Sequence, residues 1–465
     1  MGPAESANAP LDDARLTVAA RRRALRLGYA NGVLWSIGNG LTSGTFVYYL
    51  AQELGANGLA LSLLLAAPSL IGLLRLATPA VVGPLGGIKA TCLRMSLASY
   101  LLLAIGLPLI ALGAGLSRPA ILASLIALVS VHQLLEYIGM VALWSWLGAL
   151  APLRIRGRYF ARRNILQLAF LIPTLLLSGS FTDNWKRSHR DDPQAILLGY
   201  IIPATIGGGF LLLSLLPLWW MPDVATAPAR AGKKRRPAGL RRAILAILMP
   251  LLDTRFRVLV IYRGWFSFFN GLTQAAQNVF IYRALGVGVL PMQRMQLGMR
   301  VGQIALSPKV GSVSDRHGNR PVLQLSQAVV AMGLLFFAIA TPANPWWIAG
   351  AYVCWSAYAG INICLNNLML KLAPAKENSG YIALFEATGG LAFGLSTIAG
   401  GVLFDQLQAA GVTLTIGPLT LDHFAILFLI GAVMRGAGVF WLARVKEPGA
   451  TRWRELILQS KSLLN

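Results

Sequence analysis

Glu136 and His132 stand one helical turn apart inside an apolar stretch, and Arg300 lies near the middle of another. A charge in such a place costs roughly 2.5–3.5 kcal/mol on helix-insertion scales, so each of these side chains needs a partner or a polar cavity. A carboxyl withdrawn from water favours its neutral form, which makes Glu136 a candidate proton carrier, with His132 tuning it or sharing the proton. The alternative is a buried pair held by a neighbouring arginine. Arg300 does not readily discharge and must face an anion, which is Glu136, another acidic residue, or an anionic group on a small molecule. Glu386 and Arg435 lie at similar depth in neighbouring stretches, so a structural ion pair is expected between them. Arg75 either joins Glu386 or snorkels to the interface.

Neutral polar residues follow the same spacing. Arg263, Ser267, Asn270, Gln274 and Gln277 step by 4, 3, 4 and 3, which places them on one face of a helix of period about 3.6. Asn31, Trp35 and Asn39 form a similar stripe, as do Trp355, Tyr358, Asn362 and Asn366, and also Gln293, Gln296, Arg300, Gln303 and Ser307. Any single amide here serves equally well as interhelical glue. The set points to a shared polar cavity, with Trp35, Asn39, His132, Glu136, Asn270, Gln274, Gln277, Arg300, Tyr358 and Asn362 as its expected lining.

The elements that position these residues follow from composition. Of the residues, 56% are hydrophobic and 12% charged, against about 25% charged in a typical soluble domain, so the natural solvent is a bilayer. A span needs roughly 20 mostly apolar residues. Such stretches are read at 28–51, 57–80, 92–114, 120–149, 162–181, 196–220, 256–282, 290–310, 321–340, 346–370, 379–405 and 421–444. The chain is therefore expected to be an all-α polytopic membrane protein of twelve helices. The stripes named above fall on spans one, four, seven, eight and ten.

The net charge of +24 suggests nucleic acid until the charges are placed. Arg21, Arg22, Arg23 and Arg26, the run Arg154 to Arg163, the basic segment around Lys233 to Arg242, and the tail from Arg444 all fall on one side of the expected membrane. The other side holds few cations, partly offset by Asp183, Asp191 and Asp192. This is the positive-inside bias. It places both termini in the cytoplasm of a bacterial inner membrane and assigns the charge to lipid headgroups rather than to nucleic acid. No signal-peptide cleavage site is evident, so the first helix is read as retained. Cys92, Cys354 and Cys364 fall in or beside spans with no disulfide or metal motif.

An internal repeat divides the chain. Asn39-Gly40-Leu41-Thr42 recurs as Asn270-Gly271-Leu272-Thr273, and Leu54-Gly55 as Leu285-Gly286, both at an offset of 231. Pro79 and Gly83 match Pro308 and Gly311, Leu168-Ala169-Phe170 matches Leu391-Ala392-Phe393, and Asp183 matches Asp405. Several matches in register argue for two homologous six-span halves. The expected domains are a cytoplasmic tail (1–27), a first bundle (28–220), a basic linker (221–255), a second bundle (256–444) and a cytoplasmic tail (445–465). Within the linker, Leu240 to Leu252 reads as an interfacial helix or a solvated tether.

Between spans eight and nine, the sequence from Gly311 to Arg320 contains Asp315-Arg316-His317-Gly318-Asn319-Arg320. With the span count and the repeat, it resembles the loop motif of the major facilitator superfamily, Gly-x-x-x-Asp-Arg-x-Gly-x-Arg. The resemblance implies two six-helix bundles around a central site, and a secondary active transporter of a small solute working by alternating access. It also implies a cytoplasmic gate in which Gly311, Asp315, Arg316, Gly318 and Arg320 make an inter-bundle contact. The expected partner is the loop Arg154 to Asn164, with Arg158 and Arg162 at its centre and Arg156 and Arg163 beside them, because a carboxylate at a helix end gains from a ring of arginines.

The first half departs from this motif, since Gly83 to Lys89 lacks the Asp-Arg pair. Span five carries Ile172-Pro173-Thr174 in place of the Gly-Pro-x-x-Gly-Gly element of drug/proton antiporters. A transport-inactive receptor or scaffold, and a polytopic membrane enzyme, are the alternatives. The sequence carries no nucleophile motif, metal cluster or phosphate-binding loop that favours an enzyme. No cofactor is expected. The expected partners are a small-molecule substrate, the bilayer and protons, with the chain acting as a monomer.

Overall fold

The computed structural model describes residues 17–73, 84–113, 117–223, 249–374, 379–416 and 419–451. Arg75, Pro79, Gly83, most of the basic linker and the outer parts of both tails lie outside these. Of the expected interfacial helix, Met249–Leu252 forms a short 3-10 turn.

Span one runs Val18–Leu41 and resumes as Gly44–Glu53. Span two is described over Gly58–Ile71. Spans three to six are Ile88–Ala111, Arg118–Leu150, Leu153–Ser188 and Pro193–Trp219. Span seven is Thr254–Leu272 followed by Gln274–Val279 and a π turn, Phe280–Ala284. Spans eight to twelve are Val289–His317, Asn319–Ile339, Trp347–Leu372, Ser379–Ala409 and His423–Ala443. A small hairpin of Leu414–Ile416 and Leu419–Leu421 joins the last two.

Eight of these helices are long and apolar enough to cross a membrane on length and composition. Spans one, seven and eight owe their lower apolarity to the breaks and polar stripes they carry. The outer surface is itself apolar. Leu109 is 68% exposed, Val353 73% and Phe440 76%, as expected where lipid rather than water is the solvent.

The Asn-Gly-Leu-Thr repeat coincides with the helix break in both halves. Span one stops at Thr42, whose hydroxyl donates back to Gly38 O, and span seven stops at Thr273. Carbonyls freed by a break must find donors inside a bilayer. In the first half Ser178 Oγ donates to Gly40 O. In the second, Arg435, which is fully buried, donates to Phe269 O at 3.1 Å, Asn270 O at 3.2 Å and Thr273 Oγ1 at 2.7 Å.

Each half packs in the same way. Span one lies on span five as span seven lies on span eleven, and span three lies on span four as span nine lies on span ten. The halves meet along span two against span eleven and span five against span eight. At the first seam, a Cβ on Gly58 would lie 2.6 Å from Asp405 Oδ1 and 2.8 Å from Gly401 O, so only glycine permits this approach.

Candidate functional site

A central cavity lies between the halves in two compartments. The larger, about 570 Å³, is lined from the second half by Asn270, Gln274, Gln277, Arg300, Tyr358 and Asn362, and from the first by Tyr48, Leu65, Pro68 and Ser69. The smaller, about 380 Å³, shares Asn270, Tyr358 and Asn362 and adds Arg263, Ser267 and Glu386. The stripe of span seven thus runs along both compartments. Tyr358 donates to Asn270 Oδ1 at 3.1 Å. Among the described residues, Arg300 has no hydrogen bond or ion pair, and its exposed guanidinium borders the larger compartment.

The first half contributes a separate compartment of about 250 Å³, lined by Trp35, Tyr100, Glu136, Trp144, Arg163 and Gln167 among others. Glu136 lies 3.6 Å from His132 Nε2, and the Nδ1 of the same ring meets Ser99 Oγ at 2.8 Å. His132 is therefore buried behind Glu136 rather than lining the compartment. Asn39 is half-buried on span one and lines none of these three compartments.

Trp35, Asn39, His132 and Glu136 therefore do not line the central cavity as expected, and two expected contacts are corrected as well. Glu386 pairs with Arg263 at 3.6 Å, not with Arg435. Span eleven turns Glu386 toward span seven, while Arg435 is engaged by the carbonyls of the span-seven break. The expected contact of Asp315 with Arg158 and Arg162 is not formed either. All three side chains are exposed, as is Arg316, and Arg162 lies over the Tyr29 ring at 5.8 Å.

The rest of the loop motif is held within its own half. Glu447, just past span twelve, accepts from the backbone N–H of Asn319 (3.1 Å) and Arg320 (2.7 Å), from Asn319 Nδ2 (2.9 Å) and from Lys371 Nζ (3.0 Å). Arg320 donates to Val445 O at 3.3 Å, and Gly318 takes a φ of +89°. Burial pushes the Glu447 carboxyl up, but these hydrogen bonds outweigh it and hold it below the usual carboxylate range.

The inter-half polar contacts cluster at the other end. Asp183 of span five accepts from the N–H groups of Val289 and Leu290, both at 2.9 Å, at the start of span eight. Asp405 of span eleven accepts from Gly58 N at 2.7 Å and Leu59 N at 2.8 Å, at the start of span two. Each carboxylate therefore caps a helix of the opposite half, where orphan N–H groups and the helix dipole both favour an anion. Lys186 pairs with Glu53 and donates to Tyr282 Oη at 3.0 Å, Tyr49 donates to Val287 O at 2.9 Å, and Arg283 donates to Ala56 O at 2.6 Å.

The burial of Arg163, the role of Glu447 and the capping contacts of Asp183 and Asp405 escaped the sequence reading, and Arg263 was read in the span-seven stripe without its partner Glu386. Arg163 is 4% exposed and donates to Gly28 O and Asn31 Oδ1, because span five begins at Leu153 and not near residue 162. The spacing of Arg163 and Gln167, one turn apart and hydrogen-bonded at 3.2 Å, was the available signal.

A family model of the Major Facilitator Superfamily matches residues 29–397 and 297–460. Among solved structures, the chain is similar to the nucleoside transporter NupG, with a TM-score of 0.62 at 14% identity, covering 92% of this chain and 98% of that one. It is similar to the D-xylose-proton symporter, with a TM-score of 0.62 at 14% identity, 93% of this chain and 98% of that one. The inward-open xylose transporter XylE from E. coli gives a TM-score of 0.60 at 15% identity, 94% of this chain and 98% of that one. No curated protein matches the sequence. At such identities the structural likeness is one of fold, and the family match carries the assignment. With twelve spans in two like halves, a polar cavity between them and a family model spanning most of its length, the chain belongs to the Major Facilitator Superfamily of membrane transporters.

Proposed function

We propose that this secondary transporter moves a small solute across a bacterial inner membrane by alternating access, with both termini in the cytoplasm. The observation that carries the reading is the pair of reciprocal caps, Asp183 on span eight and Asp405 on span two. They seal one end of the central cavity with bonds that can be broken and remade as the halves rock, while Arg158, Arg162 and Asp315 are exposed at the other end. The positive-inside bias puts that exposed end in the cytoplasm, so the conformation described here is inward-open. On this reading Asp315 regains an inter-bundle partner when the inner end closes.

Glu136 serves as the proton carrier and His132 as its tuning partner, supported by their 3.6 Å contact beside a compartment of the first half. The test uses a single cysteine at Gln274, with Cys92, Cys354 and Cys364 replaced, and a membrane-impermeant thiol reagent applied to either side of sealed vesicles. Labelling from the Asp315 side is expected in the otherwise native protein, and labelling from the opposite side should rise in Asp183→Asn/Asp405→Asn. A cavity that never labels from the Asp183 side in either protein contradicts alternating access.

A further inference from the structure

We infer that the central cavity selects an acidic, hydroxyl-rich molecule of monosaccharide size, its anionic group on Arg300 and its hydroxyls on a surrounding set of amides. The inference rests on the transporter reading and names its substrate class. Charge is the first argument. The described lining of the larger compartment contains Arg300 and no carboxylate, and Glu386 in the adjoining compartment is already paired with Arg263. Arg300 is therefore an uncompensated cation near the middle of a membrane helix, in a concave site that concentrates its field. Such a site attracts anions and repels cations. A guanidinium also presents a planar fork that matches carboxylate or phosphate oxygens.

The amides make the second argument. Asn270, Gln274, Gln296, Gln303 and Asn362 border the same compartment as Arg300. Gln274 and Asn362 side chains have no hydrogen-bond partner among the described residues. Asn270 uses only its Oδ1, and Gln296 and Gln303 make single contacts of 3.4 Å. An amide offers donors and an acceptor side by side, and a hydroxyl is likewise both donor and acceptor, so the two pair without leaving either unsatisfied. A simple fatty or dicarboxylic acid would leave most of these amides without partners, at a cost for each. Tyr352, Trp355 and Tyr358 supply the apolar wall that the C–H faces of a sugar ring need. The volume of about 570 Å³ lies inside the usual range for small-ligand sites.

The test is thermal-shift titration of the purified full-length protein with D-glucuronate, D-glucose 6-phosphate, D-glucose, D-glucosamine and hexanoate. D-glucuronate or the phosphate ester should bind at concentrations roughly 10- to 100-fold below D-glucose, the factor expected of a charge-assisted contact. Which of the two binds better identifies the anionic group. Arg300→Gln should abolish that preference while retaining the D-glucose response, and Gln274→Leu/Asn362→Leu should abolish the preference over hexanoate. Arg300 has no partner among the described residues, so its variant should melt with the wild type. A preference for D-glucosamine or hexanoate, an acid preference that survives Arg300→Gln, or no response to either acidic sugar overturns the inference. Cavity labelling from both sides of the vesicle, run on the same preparations, separates this failure from that of the transporter reading. Two-sided access without acidic-sugar binding leaves the transporter standing and removes the substrate class.

Discussion

Asp183 and Asp405 occupy equivalent places in the two halves, and each caps the first turn of a helix belonging to the other half. The two contacts thus form a two-fold arrangement across the end they share. Asparagine keeps one acceptor oxygen but loses the charge and the second N–H bond at each cap, a loss of about 1–2 kcal/mol. Asp183→Asn and Asp405→Asn should therefore each shift the open-to-sealed ratio at this end by roughly 5- to 30-fold. Single-molecule fluorescence across the end should find the two shifts alike. A large effect from one and none from the other would show that the symmetry is only geometric.

Gly58 makes the seam between spans two and eleven possible. A methyl group there would meet both Asp405 and the Gly401 carbonyl. Gly58→Ala should open the same end as Asp405→Asn, and the double variant should add little, because both changes act on one contact. Additive effects in the same fluorescence assay would contradict this.

Arg435 and Arg300 are both arginines in the membrane region, and they should behave oppositely. Arg435→Met removes three hydrogen bonds from the span-seven break and should lower stability by about 3 kcal/mol or more. Arg435→Lys should not restore it, because an ammonium cannot span the fork. Thermal melting in detergent compares the two, and a harmless Arg435→Met would refute the role assigned to the break.

Glu447 gives a pH dependence with a definite sign. Its carboxyl is held below the ordinary range, so its stabilising contribution is full above the unfolded-state value of about 4.3 and fades as pH falls through the lowered folded value. Glu447→Gln should reduce melting temperature at pH 7 and narrow the gap to wild type toward pH 3. A gap that stays constant with pH would mean that the carboxylate charge is immaterial there.

Glu136 should make the conformational equilibrium depend on pH without any substrate present. A proton gradient imposed across the vesicle should change the ratio of the two conformations in wild type and leave it flat in Glu136→Gln. A wild-type response that persists in the variant would move proton coupling elsewhere.

The stripe from Arg263 to Gln277 was legible in the sequence because a helix face repeats at a fixed spacing, and it does line the cavity. The equivalence of Asp183 and Asp405 was legible too, as a repeat. Their partners were not, because which helix start each meets depends on how two halves dock. The partner of Glu386 was lost for the same reason, since span eleven borders both span seven and span two, and only packing decides between Arg263 and another cation. Arg163 was misplaced by local composition. A run of arginines reads as a loop, yet span five continues through it and buries that one side chain against span one.

Rocking of two rigid halves is the central claim, and it is tested most directly by measuring both ends of one molecule. Spin-label pairs across the Asp183 end and across the Asp315 end, in wild type and in Asp183→Asn/Asp405→Asn reconstituted in lipid, give the two distance distributions. The account predicts that the variant lengthens the first distance and shortens the second. Opening at the Asp183 end with no closure at the Asp315 end would contradict it.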